Sequence, residues 1–473
     1  WLTHVEAGAD DVGDRRQLEP HVASSRSSSV PDTLVTGYIQ DNTCRTSRST
    51  DSGLSWQQSS YVGKPGNNVN GGDPSVSSQL DGTFLLGCLG ITFGTEPFTG
   101  YKIITSSAIG FVSSTDSGMT WTTAAPEIIA PPGGPQIDKP WIATDWGTFG
   151  SHNNRLYACW TEFDYVAMQT RIHFAQILPT RTNDIILDSA TWVDDADRSK
   201  GPYVQGCQVA TGPGKTGIGN EIFVTWEKIE NYVSGEILFN RNYNGGDSAS
   251  WLGTPFQIGT MQRFSDTTSC RIVTQNTILD GCLRGISGVW FRANHLPYLA
   301  IDKFGDPHVT WTTFVNNSAD IVYSSSYNCA VDEQQCTFSS QLTLDTNTND
   351  QFHPAITVSD SSVNPRGIVI VTISDKREDN VSTPNETWKP WEFSCQPTSY
   401  SGIGSCLNAS DWTNKKIADD ESQFNEADGM AGEYHGLAYT RTNQAISIQY
   451  FRECIFPGCV PPASHDIIAY GGK

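Results

Sequence analysis

Hydrophobic residues along this chain come in short paired runs rather than in helical stripes. In seven places a polar or proline-containing entry leads into an apolar run, a turn and a second apolar run. The entries begin at positions 19, 73, 138, 206, 296, 352 and 434. Short strands that recur along a whole chain are typical of repeat architectures, in which each repeat forms one supersecondary unit. The pattern therefore predicts an all-β protein built from seven similar units.

A second repeat lies at two of the predicted hairpin tips. The segments from Ser49 to Trp56 and from Ser114 to Trp121 share the pattern Ser-x-Asp-x-Gly-x-Ser/Thr-Trp. This pattern resembles the Asp box, or BNR repeat, of sialidases and their relatives, a hairpin tip on β-propeller blades. The resemblance implies a sialidase-like β-propeller. Because Asp and Gly favour a tight turn and Trp covers a small apolar cluster, we interpret Asp51 and Asp116 as structural residues.

The outer hairpins of later units are weaker but can be found. They span Phe239 to Trp251, Phe393 to Trp412 and Ile321 to Phe338. The seventh unit supplies a third strand near Ile467 to Tyr470 and then the chain stops, while Trp1 to Val5 resembles the strand that follows the hairpin elsewhere. Since an open ring leaves sheet edges unpaired, we expect the first strand to close the last blade. The predicted fold is a seven-bladed β-propeller of four-stranded antiparallel blades, one domain over residues 1–473.

Charge and hydropathy narrow the choice of partners. The chain has 30 Lys and Arg residues against 51 Asp and Glu residues, a net charge of −21, which argues against a nucleic-acid partner. Nothing approaches the roughly 18 consecutive apolar residues of a membrane-spanning helix. We therefore expect neither nucleic acid nor membrane as a partner, and a monomer.

Cysteines and glycosylation sequons indicate the compartment. The twelve cysteines and the absence of a Cys-x-x-Cys motif favour disulfides over zinc. The suggested pairs are Cys44 with Cys88, Cys159 with Cys207, Cys270 with Cys282, Cys329 with Cys336, Cys395 with Cys406, and Cys454 with Cys459. Glycosylation sequons lie at Asn316, Asn380, Asn385 and Asn408. With no initiator Met, the sequence predicts a mature, secreted, extracellular glycoprotein, most simply of fungal origin.

Propeller topology predicts where a site would lie. Inner strands converge on the axis, so the entry residues of seven strands should line one central funnel. These entries carry acids, histidines and a tyrosine, with different chemistry from blade to blade. As catalytic candidates the sequence offers Glu19, Asp73, Asp138, His353, Tyr434 and His435. As substrate-binding candidates it offers His21, Lys139, Glu162, Arg292 and Arg377.

Three functions fit such a funnel. A glycoside hydrolase would use two of Glu19, Asp73 and Asp138 as acid and base, or Tyr434 beside Glu433 as a sialidase-like nucleophile. A polysaccharide lyase acting on a uronic-acid sugar would need a His or Tyr base and a cation beside the substrate carboxylate. The third function is a noncatalytic lectin. Because the funnel is asymmetric, we expect an enzyme acting on carbohydrate, with hydrolysis preferred.

Two departures separate this chain from sialidases. Seven units are counted where sialidases have six blades, and the Arg-Ile-Pro segment that precedes their first Asp box is absent. The arginine triad of that family cannot be placed on this sequence, so sialic acid specificity is not implied. No Gly-x-Ser-x-Gly elbow of a serine hydrolase occurs either.

No cofactor and no catalytic metal are expected. Asp and Asn clusters at Asp41-Asn42 and from Asn347 to Asp350 leave structural calcium open, but neither has the spacing of an EF-hand loop. Solvated turns explain such clusters equally well.

Overall fold

The computed structural model describes most of the chain. The described residues are 2–6, 17–25, 27, 32–59, 65, 68, 70–95, 102–131, 134–145, 154–191, 202–213, 221–231, 234–247, 250–262, 282–284, 290–292, 295–315, 318–329, 336–345, 347, 349–359, 366–378, 387–397, 406–419, 422–423, 434–440, 444–452 and 465–472. They form an all-β structure with a short 3₁₀ turn at Ala409–Asp411.

The strands fall into seven blades of similar size. The first strand along the chain is β1 (Leu2–Glu6). Blade 1 contains β2 (Gln17–Ser24), β3 (Leu34–Gln40), β4 (Thr43–Ser49) and β5 (Gln57–Gln58). Blade 2 contains β6 (Asn70–Ser78), β7 (Phe84–Thr95), β8 (Lys102–Ser114) and β9 (Thr122–Ile129). Blade 3 contains β10 (Gln136–Thr144), β11 (Leu156–Asp164), β12 (Gln169–Leu178) and β13 (Thr182–Thr191). Blade 4 contains β14 (Tyr203–Gly212), β15 (Glu221–Asn231), β16 (Ser234–Asn242) and β17 (Phe256–Gln262).

The remaining blades follow after a small hairpin. That hairpin pairs β18 (Cys282–Arg284) with β19 (Trp290–Arg292). Blade 5 contains β20 (Tyr298–Ile301), β21 (Pro307–Val315), β22 (Ser318–Ser325) and β23 (Leu342–Thr343). Blade 6 contains β24 (Gln351–Val358), β25 (Val369–Asp375), β26 (Thr387–Cys395) and β27 (Trp412–Lys416), with β28 (Ser422–Gln423) also paired to β26. Blade 7 contains β29 (Gly436–Tyr439), β30 (Ala445–Arg452) and β31 (His465–Gly472).

Strand order confirms the predicted ring. Blades 1 to 5 are antiparallel sheets of four strands in chain order. Blade 7 has the order β1, β31, β30, β29, and Val5 of β1 lies opposite Ala469 of β31. The first strand of the chain therefore closes the last blade, as predicted, and protects an edge that would otherwise be unpaired.

The three weaker outer hairpins are confirmed as well. Asn242 pairs with Trp251 in blade 4, Ser326 with Phe338 in blade 5, and Cys395 with Trp412 in blade 6. In the two Ser-x-Asp-x-Gly turns the aspartate binds the turn itself: Thr120 N and Oγ1 donate to Asp116 at 2.9 and 2.6 Å. Asp51 accepts the same pair of hydrogen bonds from Ser55. These carboxylates hold a turn at the outer edge of the ring.

The core lies between neighbouring blades. Leu85, Ile109 and Phe111 of blade 2 pack with Ala158 and Trp160 of blade 3 in one buried cluster. A second cluster joins blade 3 to blade 4, and others join blades 4 to 5, 5 to 6, and 7 to 1. Burial of both faces of each blade fixes the blades around one axis.

Four disulfides reinforce this arrangement. Cys44–Cys88 links blades 1 and 2, and Cys159–Cys207 links blades 3 and 4. Cys329–Cys336 and Cys395–Cys406 close short loops. These four of the predicted pairs are confirmed, and Cys270 with Cys282 and Cys454 with Cys459 fall outside what the structure describes. Disulfides fit an oxidising compartment. Within the described ranges, no helix has the length and apolar character needed to cross a membrane.

One sequon can be placed on the structure. Asn408 is exposed and precedes the 3₁₀ turn, so its side chain is accessible to a modifying enzyme. Asn316, Asn380 and Asn385 lie outside the described residues.

Candidate functional site

The same backbone irregularity occurs at the start of the inner strand in five of the seven blades. Strand register shifts near the start of β2, β6, β10, β14 and β24, and each shift contains a residue with left-handed φ. The residues and angles are Glu19 (51°), Asp73 (46°), Lys139 (48°), Gly206 (67°) and His353 (49°). Bulges re-aim side chains and terminate pairing, which here happens where the strands meet the funnel.

Blades 5 and 7 contribute residues at the equivalent position. Leu296 precedes Pro297 and β20, as Glu19 precedes Pro20, and Tyr434 stands two residues before β29. We call the seven residues the axial ring: Glu19, Asp73, Lys139, Gly206, Leu296, His353 and Tyr434. A left-handed conformation costs a residue with a side chain about 1–3 kcal/mol, and such strain is concentrated at functional sites. Four ring residues with side chains adopt it.

Carboxyl groups form one side of the ring. Glu19 is 3% exposed. Its carboxyl group is hydrogen bonded to that of Asp73, which also interacts with Asp138 and Lys139. Burial and the negative charge of Glu19 raise the pKa of Asp73 to about 7, against the opposing effects of Lys139 and of the hydrogen bond with Asp138. Asp73 is therefore a proton donor near neutral pH. Asp138 is partly exposed, and its Oδ1 accepts the backbone N–H of Lys139 at 3.0 Å.

Aromatic rings form the floor beneath the carboxyl groups. Trp141, two residues after Lys139, contacts His21 of blade 1, Tyr434 of blade 7 and Tyr298 of blade 5. The ring centroids lie 4.5, 5.6 and 6.4 Å apart respectively. One tryptophan of blade 3 thus contacts side chains of blades 1, 5 and 7. Its edge-to-face contacts give the floor a defined shape.

His21 and Tyr434, both candidates from the sequence, form hydrogen bonds within this floor. The backbone N–H of Val76 donates to His21 Nδ1 at 2.8 Å, and burial lowers the pKa of His21 to about 4. Tyr434 Oη donates to the carbonyl oxygen of Pro74 at 3.0 Å. Burial, with the nearby charges of Glu19 and Asp73, raises the pKa of Tyr434 well above its usual value. His21 is thus a neutral acceptor, and the Tyr434 hydroxyl is held protonated.

A pair of histidines forms the side contributed by blades 6 and 7. The rings of His353 and His435 lie 5.2 Å apart at 73°, and the two residues are 1% and 2% exposed. Burial and the charge of Lys139 lower the pKa of His353 to about 3. Burial, with a smaller effect of His353, lowers the pKa of His435 well below its usual value. Both imidazoles are neutral throughout the working range of a protein.

A cavity lies between the carboxyl side of the ring and the aromatic floor. About 290 Å³ of space lies between its walls and is open to solvent, and about 10 Å³ of it, room for about one water molecule, is enclosed. Its lining residues are Asp73, Lys139, Pro140, Trp141, Gly206, Cys207, Gln208, Leu296, Tyr298 and Tyr434. Lys139 Nζ stands 5.3 Å from the centre of the Tyr434 ring. A charged wall therefore faces an apolar and aromatic wall, an arrangement that suits the polar edge and the C–H face of a sugar.

Other candidates from the sequence have different partners on the rim. Glu162 pairs with Arg171, and its Oε2 lies 3.5 Å from His173 Nε2, all within blade 3. Partial burial would raise the pKa of Glu162, but the hydrogen bonds from His173 and Arg171 hold it below the usual value. Glu162 thus stands in an ion-pair cluster of its own blade.

Arg377 is engaged at the rim between blades 5 and 6. It pairs with Asp375 of its own blade, and its Nη2 lies 2.8 Å from Asp345 Oδ2 beside blade 5. Its guanidinium carbon lies 3.9 Å from the centre of the Trp391 ring. Arg292 ends β19, and its side chain lies outside what the structure describes. Glu433, the proposed neighbour of Tyr434, also falls outside the described residues.

Sequence reasoning missed the aromatic half of the site. Trp141 and Tyr298 were not among the candidates from the sequence. The available signal was position, because Trp141 and Tyr298 each follow a Pro at the entry of an inner strand, as His21 does in blade 1.

No metal centre is found among the described residues. No group of three or more His, Cys, Asp or Glu side chains in that part of the chain is arranged to hold a metal ion. Asp41 and Asn42 both adopt left-handed φ, 54° each, in the tight turn between β3 and β4.

Comparisons with known proteins return structural similarity at low sequence identity. The α-L-arabinofuranosidase Arb93A from Fusarium graminearum is 11% identical, with a TM-score of 0.47, over 99% of this chain and 97% of that one. The intramolecular trans-sialidase from Ruminococcus gnavus is 9% identical, with a TM-score of 0.43, over 95% and 94%. The polysaccharide lyase Uly1 is 9% identical, with a TM-score of 0.44, over 100% and 92%.

No protein-family model matches the chain, and no curated protein matches its sequence. Similarity at this level does not transfer an activity, so the function rests on the residues of the site.

Proposed function

We propose that this protein is a secreted carbohydrate-active enzyme that hydrolyses a glycosidic bond in the axial cavity. The observation that carries the proposal is the Asp73 carboxyl group, which lines the cavity, is hydrogen bonded to Glu19 and has a pKa raised to about 7. A carboxylic acid that keeps its proton near neutral pH is what general-acid cleavage of a glycoside requires.

Each carboxyl group has a separate role in this proposal. Asp73 donates its proton to the glycosidic oxygen as the bond to the anomeric carbon breaks. Asp138, which is partly exposed and hydrogen bonded to a backbone N–H, accepts a proton from the water that attacks that carbon. Glu19 is a positioning residue whose charge keeps the proton on Asp73. Trp141 and Tyr434 support the sugar ring.

The hydrogen bond between Glu19 and Asp73 excludes Glu19 as the second catalytic group. Carboxyl groups that act as the two catalytic groups of a glycosidase stand about 5–9.5 Å apart. A directly bonded pair is closer than that, so Glu19 and Asp73 act together as one acid. Asp138 is also hydrogen bonded to Asp73, so its role as the second catalytic group requires that this hydrogen bond opens when the substrate binds.

A lyase is the second candidate, favoured by one observation. His353 is a neutral imidazole that feels the charge of Lys139, and a base next to a cation is what β-elimination from a uronic acid requires. In that reaction the base removes the proton next to the carboxylate, and Lys139 stabilises the negative charge that develops.

Product analysis on a polysaccharide panel separates these reactions. New reducing ends without ultraviolet absorbance indicate hydrolysis, whereas a conjugated unsaturated uronic acid indicates elimination. Under hydrolysis, Asp73→Asn lowers turnover about 100-fold or more. Asp116→Asn, the same change in an outer turn, leaves turnover per folded molecule unchanged. Full activity of Asp73→Asn rules out the proposed acid, and sugar binding without any product indicates a lectin.

A further inference from the structure

The two histidines of the site have unused hydrogen-bonding atoms. Neither ring nitrogen of His353 has a hydrogen-bond partner among the described residues, and the same holds for Nδ1 of His435. Both side chains are nine-tenths or more buried. A buried polar atom without a partner is unfavourable, so a cluster of such atoms indicates a place where another molecule supplies the partners.

The position of the pair connects it with the cavity. His353 belongs to the axial ring, in the left-handed conformation shared with Glu19, Asp73 and Lys139. Its ring lies 5.2 Å from that of His435. The Lys139 ammonium group that acts on His353 also stands over the ring of Tyr434, which lines the cavity. The imidazoles are not themselves among the lining residues of the cavity, so a ligand meets them only if it reaches beyond Lys139 and Tyr434 on the side of blades 6 and 7.

Neutral imidazoles restrict what that ligand can present. Each neutral ring has one N–H donor and one nitrogen acceptor. A hydroxyl group both donates and accepts, so it can satisfy either nitrogen whichever tautomer is present. A carboxylate only accepts and an ammonium group only donates, so each leaves half of the imidazole capacity unused. The low pKa of His353 also removes the positive charge that would attract a carboxylate.

We propose that His353 and His435 are specificity-determining residues that bind adjacent hydroxyl groups of an uncharged sugar. The proposal rests on the axial cavity being the sugar site, and it names the substrate class: neutral glycosides are favoured over uronic acids and over amino sugars. Sites that hydrogen bond a substrate hydroxyl discriminate strongly against an analogue that lacks it, because the buried partner is then left without a bond.

The test uses histidine-labelled protein and nuclear magnetic resonance of the imidazole nitrogens. The probes are methyl glycosides of glucose, galactose, xylose and arabinose, with glucuronic acid and glucosamine as charged counterparts. We expect at least one neutral glycoside to shift the nitrogen resonances of His353 and His435 while both rings remain neutral. Glucuronic acid and glucosamine should bind about 10-fold or more weakly.

Matched variants identify the residues responsible. His353→Phe and His435→Phe keep a ring but remove the nitrogens, and each should weaken binding of the preferred glycoside about 10- to 100-fold. Neither should change the affinity for the monodeoxy analogue that lacks the contacted hydroxyl. His173→Phe, which removes a histidine of the blade 3 rim cluster, is the control. Because the resonance shifts are measured on the unaltered protein, the test survives if a variant fails to fold.

Two results overturn the inference: tightest binding of the uronic acid or the amino sugar, or no shift of either histidine with any neutral glycoside. Failure of the proposed hydrolysis looks different. In that case the shifts and the preference for neutral sugars are present, but no product forms. The histidines would then define the specificity of a lectin.

Discussion

Glu19 and Asp73 lie on neighbouring blades and share a hydrogen bond, and each occupies a left-handed bulge at the start of its inner strand. Neither position is favourable for a carboxyl group by itself. Together the two groups retain a proton that a solvated aspartate would lose. This pair connects the geometry of the ring with its proposed chemistry.

The charge of Glu19 should set the upper pH limit of activity. Asp73 works in its protonated form, so the rate falls as pH rises through its pKa of about 7. Glu19→Gln removes the negative charge next to Asp73, so the fall in rate should occur at a lower pH. Lys139→Met removes a positive charge that lowers the pKa of Asp73, so the fall in rate should occur at a higher pH. The dependence of kcat on pH measures both. Shifts in the same direction for the two variants would contradict the assignment.

Stability should depend on the same proton. The pKa of Asp73 is raised on folding from an ordinary value of 3.8 to about 7. Its contribution to stability is therefore fully present below pH ~4 and is lost as pH rises through ~7. Asp73→Asn cannot ionise, so relative to the unaltered protein it should gain stability between pH 5 and pH 8. Urea denaturation of both proteins at pH 5 and pH 8 measures the difference in their free energies of unfolding. The same difference at both pH values would argue against a raised pKa of Asp73.

Closure by the first strand should be necessary for full stability. Removing residues 1–6 deletes β1 and exposes the edge of β31, so the melting temperature should fall. A synthetic peptide of the same six residues, added in excess, should restore part of the loss by binding that edge. A truncated protein that melts at the original temperature would show that the pairing contributes nothing.

A buried ion pair should hold blades 5 and 6 together. Arg366 Nη1 lies 2.9 Å from Asp302 Oδ2 and 2.6 Å from Asp306 Oδ2, and all three side chains are at most 6% exposed. Arg366→Met leaves two buried aspartates without their cation and should lower the free energy of unfolding by about 3–5 kcal/mol. Arg181→Met breaks the half-exposed pair with Asp184 and should cost about 1 kcal/mol or less. Equal effects in denaturant titrations would contradict this account.

Much of the fold could be predicted from local pattern. Ser-x-Asp-x-Gly turns, paired apolar runs and the unfinished last blade depend on neighbours in sequence, and they predicted both the blade count and the pairing of β1 with β31. The entries of the inner strands also predicted that Glu19, Asp73, Lys139, His353 and Tyr434 would meet at one place. Topology alone brings these residues to the axis.

What lies deeper in the site depends on contacts between distant blades. Trp141 meets His21 and Tyr434 across the axis, and no local pattern indicates those partners. Glu162 and Arg377 were predicted to bind substrate because the loops between second and third strands lie on the rim of the funnel. In the structure ion pairs engage both residues, with partners on a neighbouring strand or two residues along the chain. Substrate binding by these two residues stays a prediction.

The most direct test of the central claim is a crystal structure of Asp73→Asn protein soaked with a mixture of neutral oligosaccharides. The substitution should remove the proton donor while leaving the cavity intact, so that an uncleaved ligand accumulates. The account predicts a sugar against Trp141 and Tyr434, with its glycosidic oxygen within hydrogen-bonding distance of residue 73. A sugar found only at the outer turns beside Asp51 or Asp116, with none on the axis, would contradict it.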